Sequence, residues 1–127
     1  MLESLSITRM AAALADHAAT RLDLIARNVA QADTPGYKAV DLPDFARVFE
    51  DSAGGTLRAT RPGHFTSAMT ASEPVPQQSA GEASPDGNTV SIAREMVKSA
   101  SVRQEHEMAL AVYSSTRDIL RASLGRR

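Results

Sequence analysis

The sequence predicts an all-α fold, with two long terminal amphipathic helices pairing as an antiparallel, coiled-coil-like hairpin and a Pro/Gly-rich, largely irregular segment between them. Three observations carry that expectation. Apolar residues recur at intervals of three and four near both ends of the chain, and most of the 6 prolines and 7 glycines lie between those runs. The first run is also stopped abruptly by Thr34-Pro35-Gly36-Tyr37.

The N-terminal run places Ile7, Met10, Leu14, Ala18, Leu22, Ile25 and Val29 on one helical face. Arg9, Asp16, Thr20, Asp23 and Arg27 line the other, so the helix has a solvated side and an apolar stripe that wants a partner. At about 1.5 Å per residue such a helix reaches on the order of 40 Å, too long for a compact domain of this size to cover. It should end near Asp33. Pro35 fixes φ at the second turn position and pushes Thr34 out of the helical region, while Gly36 can supply the positive φ of a type II turn.

Beyond the turn, Asp41 to Phe49 should add a short helical stretch, with Phe45, Val48 and Phe49 packing on the long helices. Asp51 to Asn88 reads as loop, with Leu57, Phe65, Met69 and Val75 as its few large apolar anchors and Asp86-Gly87-Asn88 as a closing turn. A second long helix follows from Ser91 to Leu124. Ser91 is placed to cap it, Glu95 falls in its first turn where the dipole favours an acid, and Gly125 is placed to end it. One seam of this helix carries Ile92, Met96, Leu110, Tyr113, Leu120 and Leu124, with Val97, Met108, Ala111, Val112 and Ile119 beside it. Its middle is polar. Arg103 and His106 at the centre of a heptad-like seam suit a place where several helices meet and polar groups fix register. The chain thus divides into an N-terminal assembly helix (1–33), a turn and short packing segment (34–50), a flexible central loop (51–88) and a C-terminal assembly helix (89–127).

Composition narrows the function. The chain has 127 residues and its 43% apolar content is rich in alanine, with 4% aromatic residues and no Trp, so no large autonomous core is expected. A net charge of −1 gives no nucleic-acid footprint. The basic end, Arg121, Arg126 and Arg127, suits the C-terminal pole of a helix. With no Cys, disulfides, thiolate nucleophiles and Cys-based zinc sites are excluded. Charged residues from Glu3 to Asp23 interrupt any apolar signal-peptide core, and no run approaches the roughly 18 apolar residues of a membrane span.

Candidate chemistry is sparse. His17, His64 and His106 sit in no metal or nucleophile pattern, and the Glu105-His106-Glu107 neighbours point to different sides of a helix. Asp16, Asp41 and Asp44 lack the aromatic and glycine surroundings of a catalytic cleft, Gly54-Gly55 has no following Lys, and Glu73-Pro74-Val75-Pro76 reads as a stiff spacer. The expectation is therefore no enzyme, no cofactor and no metal. A turn after a helix is commonplace; here the approach Asn28-x-Ala30 and a second helix at the other end of the chain point to a helical assembly protein.

Asn28, Ala30, Gln31, Thr34, Pro35, Gly36 and Tyr37 resemble the Asn-x-Ala-Asn-x-x-Thr-Pro-Gly-Tyr signature of the bacterial flagellar axial proteins, the family of rod, hook and filament subunits. The resemblance covers nearly the whole chain and, with the short length, points within the family to the proximal rod. Tyr37 to Phe45 is similar to a Tyr-Lys-Ala-x-Asp-Leu-x-Phe segment, Thr60 with His64 to a Thr-x-x-x-His element, and Asp86 to Met96 to an Asp-Gly-Asn-x-Val-x-x-x-x-Glu-Met stretch. Gln31 stands where Asn is usual, and Pro43 is inserted between Leu42 and Asp44. The resemblance implies export without cleavage through the flagellar type III apparatus, polymerisation in the periplasm, and torque transmission through packed helices. It implies as partners other copies of the chain, the ring-rod adaptor FliE and the rod proteins FlgC and FlgF, with no nucleic acid and no small-molecule substrate. Ile7, Met10, Leu14, Leu22, Ile25, Asn28, Val29, Thr34, Pro35, Gly36, Tyr37, Met96, Leu110, Tyr113, Leu120 and Leu124 are the expected assembly residues. Before assembly the termini should be largely disordered. The alternatives are the related rod protein FlgC, a cytosolic helical adaptor or chaperone that folds alone, and, third, a small enzyme using His64 or His106.

Overall fold

The alanine-rich periodicity at the N-terminus becomes one helix, α1 (Leu2–Ala30), in the computed structural model, which describes residues 2–53 and 74–125. The regular helix ends three residues ahead of Asp33. The Gln31 and Ala32 N–H groups still reach back to Arg27, Asn28 and Val29 carbonyls at 3.1–3.2 Å, so the chain leaves the helix through tightening turns. Gly36 has φ +73° and the Tyr37 N–H donates to the Thr34 carbonyl at 3.3 Å, the type II turn that Pro35-Gly36 dictates.

A two-residue strand, β1 (Val40–Asp41), comes next and pairs antiparallel with β2 (Gln77–Gln78), Val40 opposite Gln78 and Asp41 opposite Gln77. Pairing satisfies backbone groups of an extended segment pressed against the helices. Of the two strands, β2 falls inside the stretch expected to be loop. So does the end of α2 (Phe45–Ala53), which is longer than the short turn expected there. Phe45 meets the His17 ring edge-on at 5.6 Å and Phe49 lies 5.6 Å from Phe45, which seats α2 on α1. His17 Nε2 lies 2.9 Å from the Pro43 carbonyl; since a carbonyl only accepts, Nε2 carries the proton. The expected features at Gly54-Gly55, Leu57, Thr60, His64, Phe65 and Met69 lie outside the described residues.

The second long helix, α3 (Ile92–Leu124), follows Ser91 as N-cap, although the Ser91 side chain makes no capping bond; Glu95 lies in its first turn, and the Gly125 N–H closes it onto the Arg121 carbonyl at 2.8 Å. It packs antiparallel along α1. Asn28 near the end of α1 meets Glu95 at the start of α3, and Ala18 and Ile25 enclose Val102 farther along. The inner seam is built from small side chains: Ala11, Ala15, Ala18 and Ile25 on α1 face buried positions 95, 102, 109 and 116 on α3. That heptad spacing makes a coiled-coil-like hairpin. Among the described residues, no helix is long and apolar enough to cross a membrane.

Candidate assembly site

The inner seam does not use the large apolar side chains of α3. Met96, Val97 and Leu124 are 67%, 71% and 72% exposed, and Ile92, Met108, Leu110, Val112 and Ile119 are exposed as well. At 3.6 residues per turn these fall on two flanks: Ile92, Met96, Leu110 and Leu124 on one, Val97, Met108, Val112 and Ile119 on the other. Tyr113 and Leu120 lie half-buried at the edge of the seam, as does His106, while Arg103 is exposed. On α1, Ile25 is buried, Leu14 and Leu22 are half-buried with Leu22 packed against the Ala18–Ile25–Val102 cluster, and Ile7, Met10 and Val29 are exposed. The predicted stripe of α1 thus faces α3 along its middle, while Ile7 and Val29 stay exposed near the two ends of the same face and Met10 at its edge.

At the connected end of the hairpin, where α1 finishes and α3 begins, the Pro-Gly-Tyr turn is fastened by polar groups. Asn28, 1% exposed, uses all of its amide: Nδ2 donates to the Val40 carbonyl at 2.8 Å and to Glu95 Oε2 at 2.9 Å, and Oδ1 accepts from the Val40 N–H at 3.1 Å and the Tyr37 hydroxyl at 3.3 Å. Asn88, 2% exposed, turns its Nδ2 toward the Gln31, Ala32 and Thr34 carbonyls at 2.8–3.0 Å. These carbonyls lie just beyond the end of α1, and two of them also accept backbone bonds, Gln31 from the Thr34 N–H and Thr34 from the Tyr37 N–H, so Asn88 fastens the helix end and its turn from 54 residues or more away in sequence. Its own loop is held by Gly87 at φ +81° and by backbone bonds from Gly36 N–H to the Asp86 carbonyl (2.9 Å) and from Thr89 N–H to the Tyr37 carbonyl (3.0 Å). Thr34, Pro35 and Gly36 remain exposed above this base, and Tyr37 is half-buried in it.

An ionic cluster continues the network. Arg21 grips Asp41 with Nε at 2.8 Å and Nη2 at 3.2 Å, and Lys98 Nζ bridges Asp41 and Glu95 at 3.1 Å each. The bond to Asp41 raises the Arg21 pKa against the opposing effect of burial. Burial by itself disfavours the charged form of Asp41, but the hydrogen bonds from Arg21 and Lys98 outweigh it and hold the carboxyl below its ordinary value. Lys98 is likewise raised, since its bonds to Glu95 and Asp41 overcome the cost of burial.

Sequence reading found the turn and Asn28 but not the partners that fix them. Asn88 was visible only as a turn residue and Glu95 only as a first-turn acid; Arg21, Asp41 and Lys98 gave no signal, because charges so far apart in sequence announce no contact. No group of three or more His, Asp or Glu among the described residues could hold a metal ion. What the molecule offers is a fastened turn and two apolar outer flanks.

No family model matches the chain. Individual proteins do. It is 36% identical over 101 residues to the flagellar basal body rod protein FlgB of Cereibacter sphaeroides (strain ATCC 17029 / ATH 2.4.9), with 73% of each chain covered. It is 34% identical over 111 residues to the FlgB of Salmonella typhimurium, covering 76% of this chain and 77% of the relative, and 32% identical over 108 residues to that of Escherichia coli K12, covering 76% of each.

Proposed function

Because the chain belongs to the FlgB family of flagellar basal body rod proteins, and is a structural subunit of that rod, we propose that it polymerises in the proximal rod through the exposed apolar side chains of its two terminal helices. The observation that carries this reading is the inversion of the usual pattern on α3: Glu95, Val102, Ala109 and Thr116 lie inside the hairpin, and Ile92, Met96, Val97, Met108, Leu110, Val112, Ile119 and Leu124 lie outside. Soluble monomers rarely expose contiguous apolar patches of this kind, and covering them with equivalent helices of neighbours stabilises by roughly 25 cal/mol per Å² of apolar area.

In this reading Ile7, Met10, Val29, Met96, Leu110 and Leu124 are contact residues, Leu14, Leu22, Ile25, Tyr113 and Leu120 support the inner seam, and Asn28 with Thr34 to Tyr37 sets the angle at which the chain leaves α1. Segments 1–33 and 89–127 are the assembly helices, and 34–50 and 51–88 lie between them. The subunit contacts its own copies, the ring-rod adaptor FliE and the rod proteins FlgC and FlgF. It reaches the periplasm through the flagellar export apparatus without losing a leader, and it performs no catalysis. Joining the inner-membrane ring to the drive shaft is then a mechanical task, met by packed helices that carry torque.

Purified basal bodies, analysed by mass spectrometry against rod and ring components, test this directly. The expected result is stoichiometric presence that survives detergent and high salt. Absence from basal bodies, with the chain free in the cytosol, overturns it.

A further inference from the structure

The shape of the inner seam gives only one apolar preference for the alignment of α3 on α1, the packing of Val102 against Ala18, Ile25 and Leu22. Buried positions on α3 recur every seven residues, at Glu95, Val102, Ala109 and Thr116, and they face Ala11, Ala15, Ala18 and Ile25. Sliding α3 by one heptad, about 10 Å, would bring Ala109 to the place of Val102 and again set small residue against small. The apolar cost of that slide is the two methyl groups by which Val102 exceeds Ala109.

Polar groups at one end break the equivalence. If Val102 took the place of Glu95, Asn28 would aim its amide at methyl groups; if Glu95 took the place of Val102, its carboxylate would sit against Ala18 and Ile25. Either slide strands a buried polar group. The bonds from Asn88 to the Gln31, Ala32 and Thr34 carbonyls form a second fastening, because Asn88 lies three residues before the N-cap Ser91 and must travel with α3.

We propose that the Asn28–Glu95 pair and Asn88 are the register-determining residues of the hairpin, holding one alignment out of several that its alanine seam would accept. Fixing the register fixes how the exposed apolar residues of α1 line up with the outer flanks of α3. That consequence rests on the rod-subunit reading, whereas the register is a property of the single chain.

The chain has no Cys, so reporter pairs can be introduced cleanly. In the full-length protein, Ile25→Cys with Val102→Cys reports the alignment seen here, and Ile25→Cys with Ala109→Cys reports the one-heptad slide; direct oxidation to the disulfide, which needs no spacer between the buried thiols, followed by non-reducing gel and peptide mapping reads both. With no other substitution the 25–102 pair should cross-link in preference to 25–109 by about tenfold or more, the ratio set by one unsatisfied buried polar group. In Glu95→Leu combined with Asn88→Ala that preference should be lost, and in Glu95→Gln alone it should be retained, since Gln can still accept from Asn28.

Three results overturn the proposal: both pairs reacting equally without further substitution, only 25–102 reacting in the combined variant, or neither pair reacting in either background. Loss of all cross-linking and helicity in the combined variant alone also counts against it, because the cluster would then be needed for pairing rather than for alignment. A register that follows these residues in a chain absent from basal bodies would refute the rod reading and leave the register role standing.

Discussion

Two asparagines and two glycines hold the turn, and each has a different physical role. Asn88 donates to three carbonyls at the end of α1 from a site 2% exposed to solvent. Replacing it by Ala removes those bonds, and since the Gln31 and Thr34 carbonyls keep the Thr34 and Tyr37 N–H groups as partners, about 1–2 kcal/mol of stability should be lost. Urea unfolding of the full chain, followed by circular dichroism, would measure this; an unchanged midpoint would mean that water takes over the cap at no cost. Gly36 differs, because a Cβ added there meets nothing within 4 Å and yet φ is +73°. The cost of substitution is therefore conformational, roughly 1–2 kcal/mol for an ordinary residue and less for Asn. Unfolding midpoints should fall in the order Gly36→Asn, Gly36→Ala, Gly36→Val, the β-branched side chain being worst. Equal midpoints for Asn and Val would contradict the left-handed conformation. At Gly81 the backbone is free to be ordinary, but a Cβ would lie 2.9 Å from the Thr89 carbonyl oxygen, so that position is constrained by space.

At the scale of elements, the two long helices have an inner and an outer face that should respond oppositely to charge. Ala18 is fully buried against Val102, so Ala18→Asp places an unpaired carboxylate in the seam and should unfold the hairpin. Met108 is exposed, so Met108→Asp should shift the unfolding free energy by no more than about 0.5 kcal/mol. It should nevertheless remove the chain from purified basal bodies. If Met108→Asp subunits enter the rod normally, the flank bearing Met108 is not a contact surface. The same division explains what could be read beforehand. Helices α1 and α3 were legible from periodicity, caps and the Pro35-Gly36 stop, since those signals are local. Which apolar residues turn inward was not: the sequence has Met96, Leu110 and Leu124 in one row, but α1 offers an alanine face, and close approach of two backbones favours Val102 and Ala109 over longer side chains. The β1–β2 pairing was equally hidden, as two residues on each side carry no alternation to detect.

For the whole molecule, Asp41 is where the parts meet: it lies in β1, is held by Arg21 of α1 and pairs with Lys98 of α3. Its carboxyl is held below its ordinary value and Lys98 is raised above its own, so the signs of the two contributions differ. Asp41 stabilises fully above the carboxylate range of the unfolded chain, near 3.9, and loses that contribution as pH falls through the folded-state value below it. Lys98 stabilises fully below the unfolded lysine value, near 10.4, and loses its contribution as pH rises through the folded-state value above it. Between these limits Asp41 and Lys98 both keep their charges. Acid should therefore detach the middle segment before it unravels the helices, because the alanine seam of α1 and α3 carries no titratable group in its apolar part. The near-ultraviolet signal of Tyr37, whose hydroxyl rests on Asn28, should fade at a higher pH than the far-ultraviolet helical signal. Asp41→Asn keeps the shape of the side chain but not its charge, and should flatten the acid limb of the urea midpoint below about pH 5 while lowering the midpoint at neutral pH. An acid limb as steep in Asp41→Asn as in the unsubstituted chain would assign the acid sensitivity to other carboxylates and leave Asp41 as a local contact.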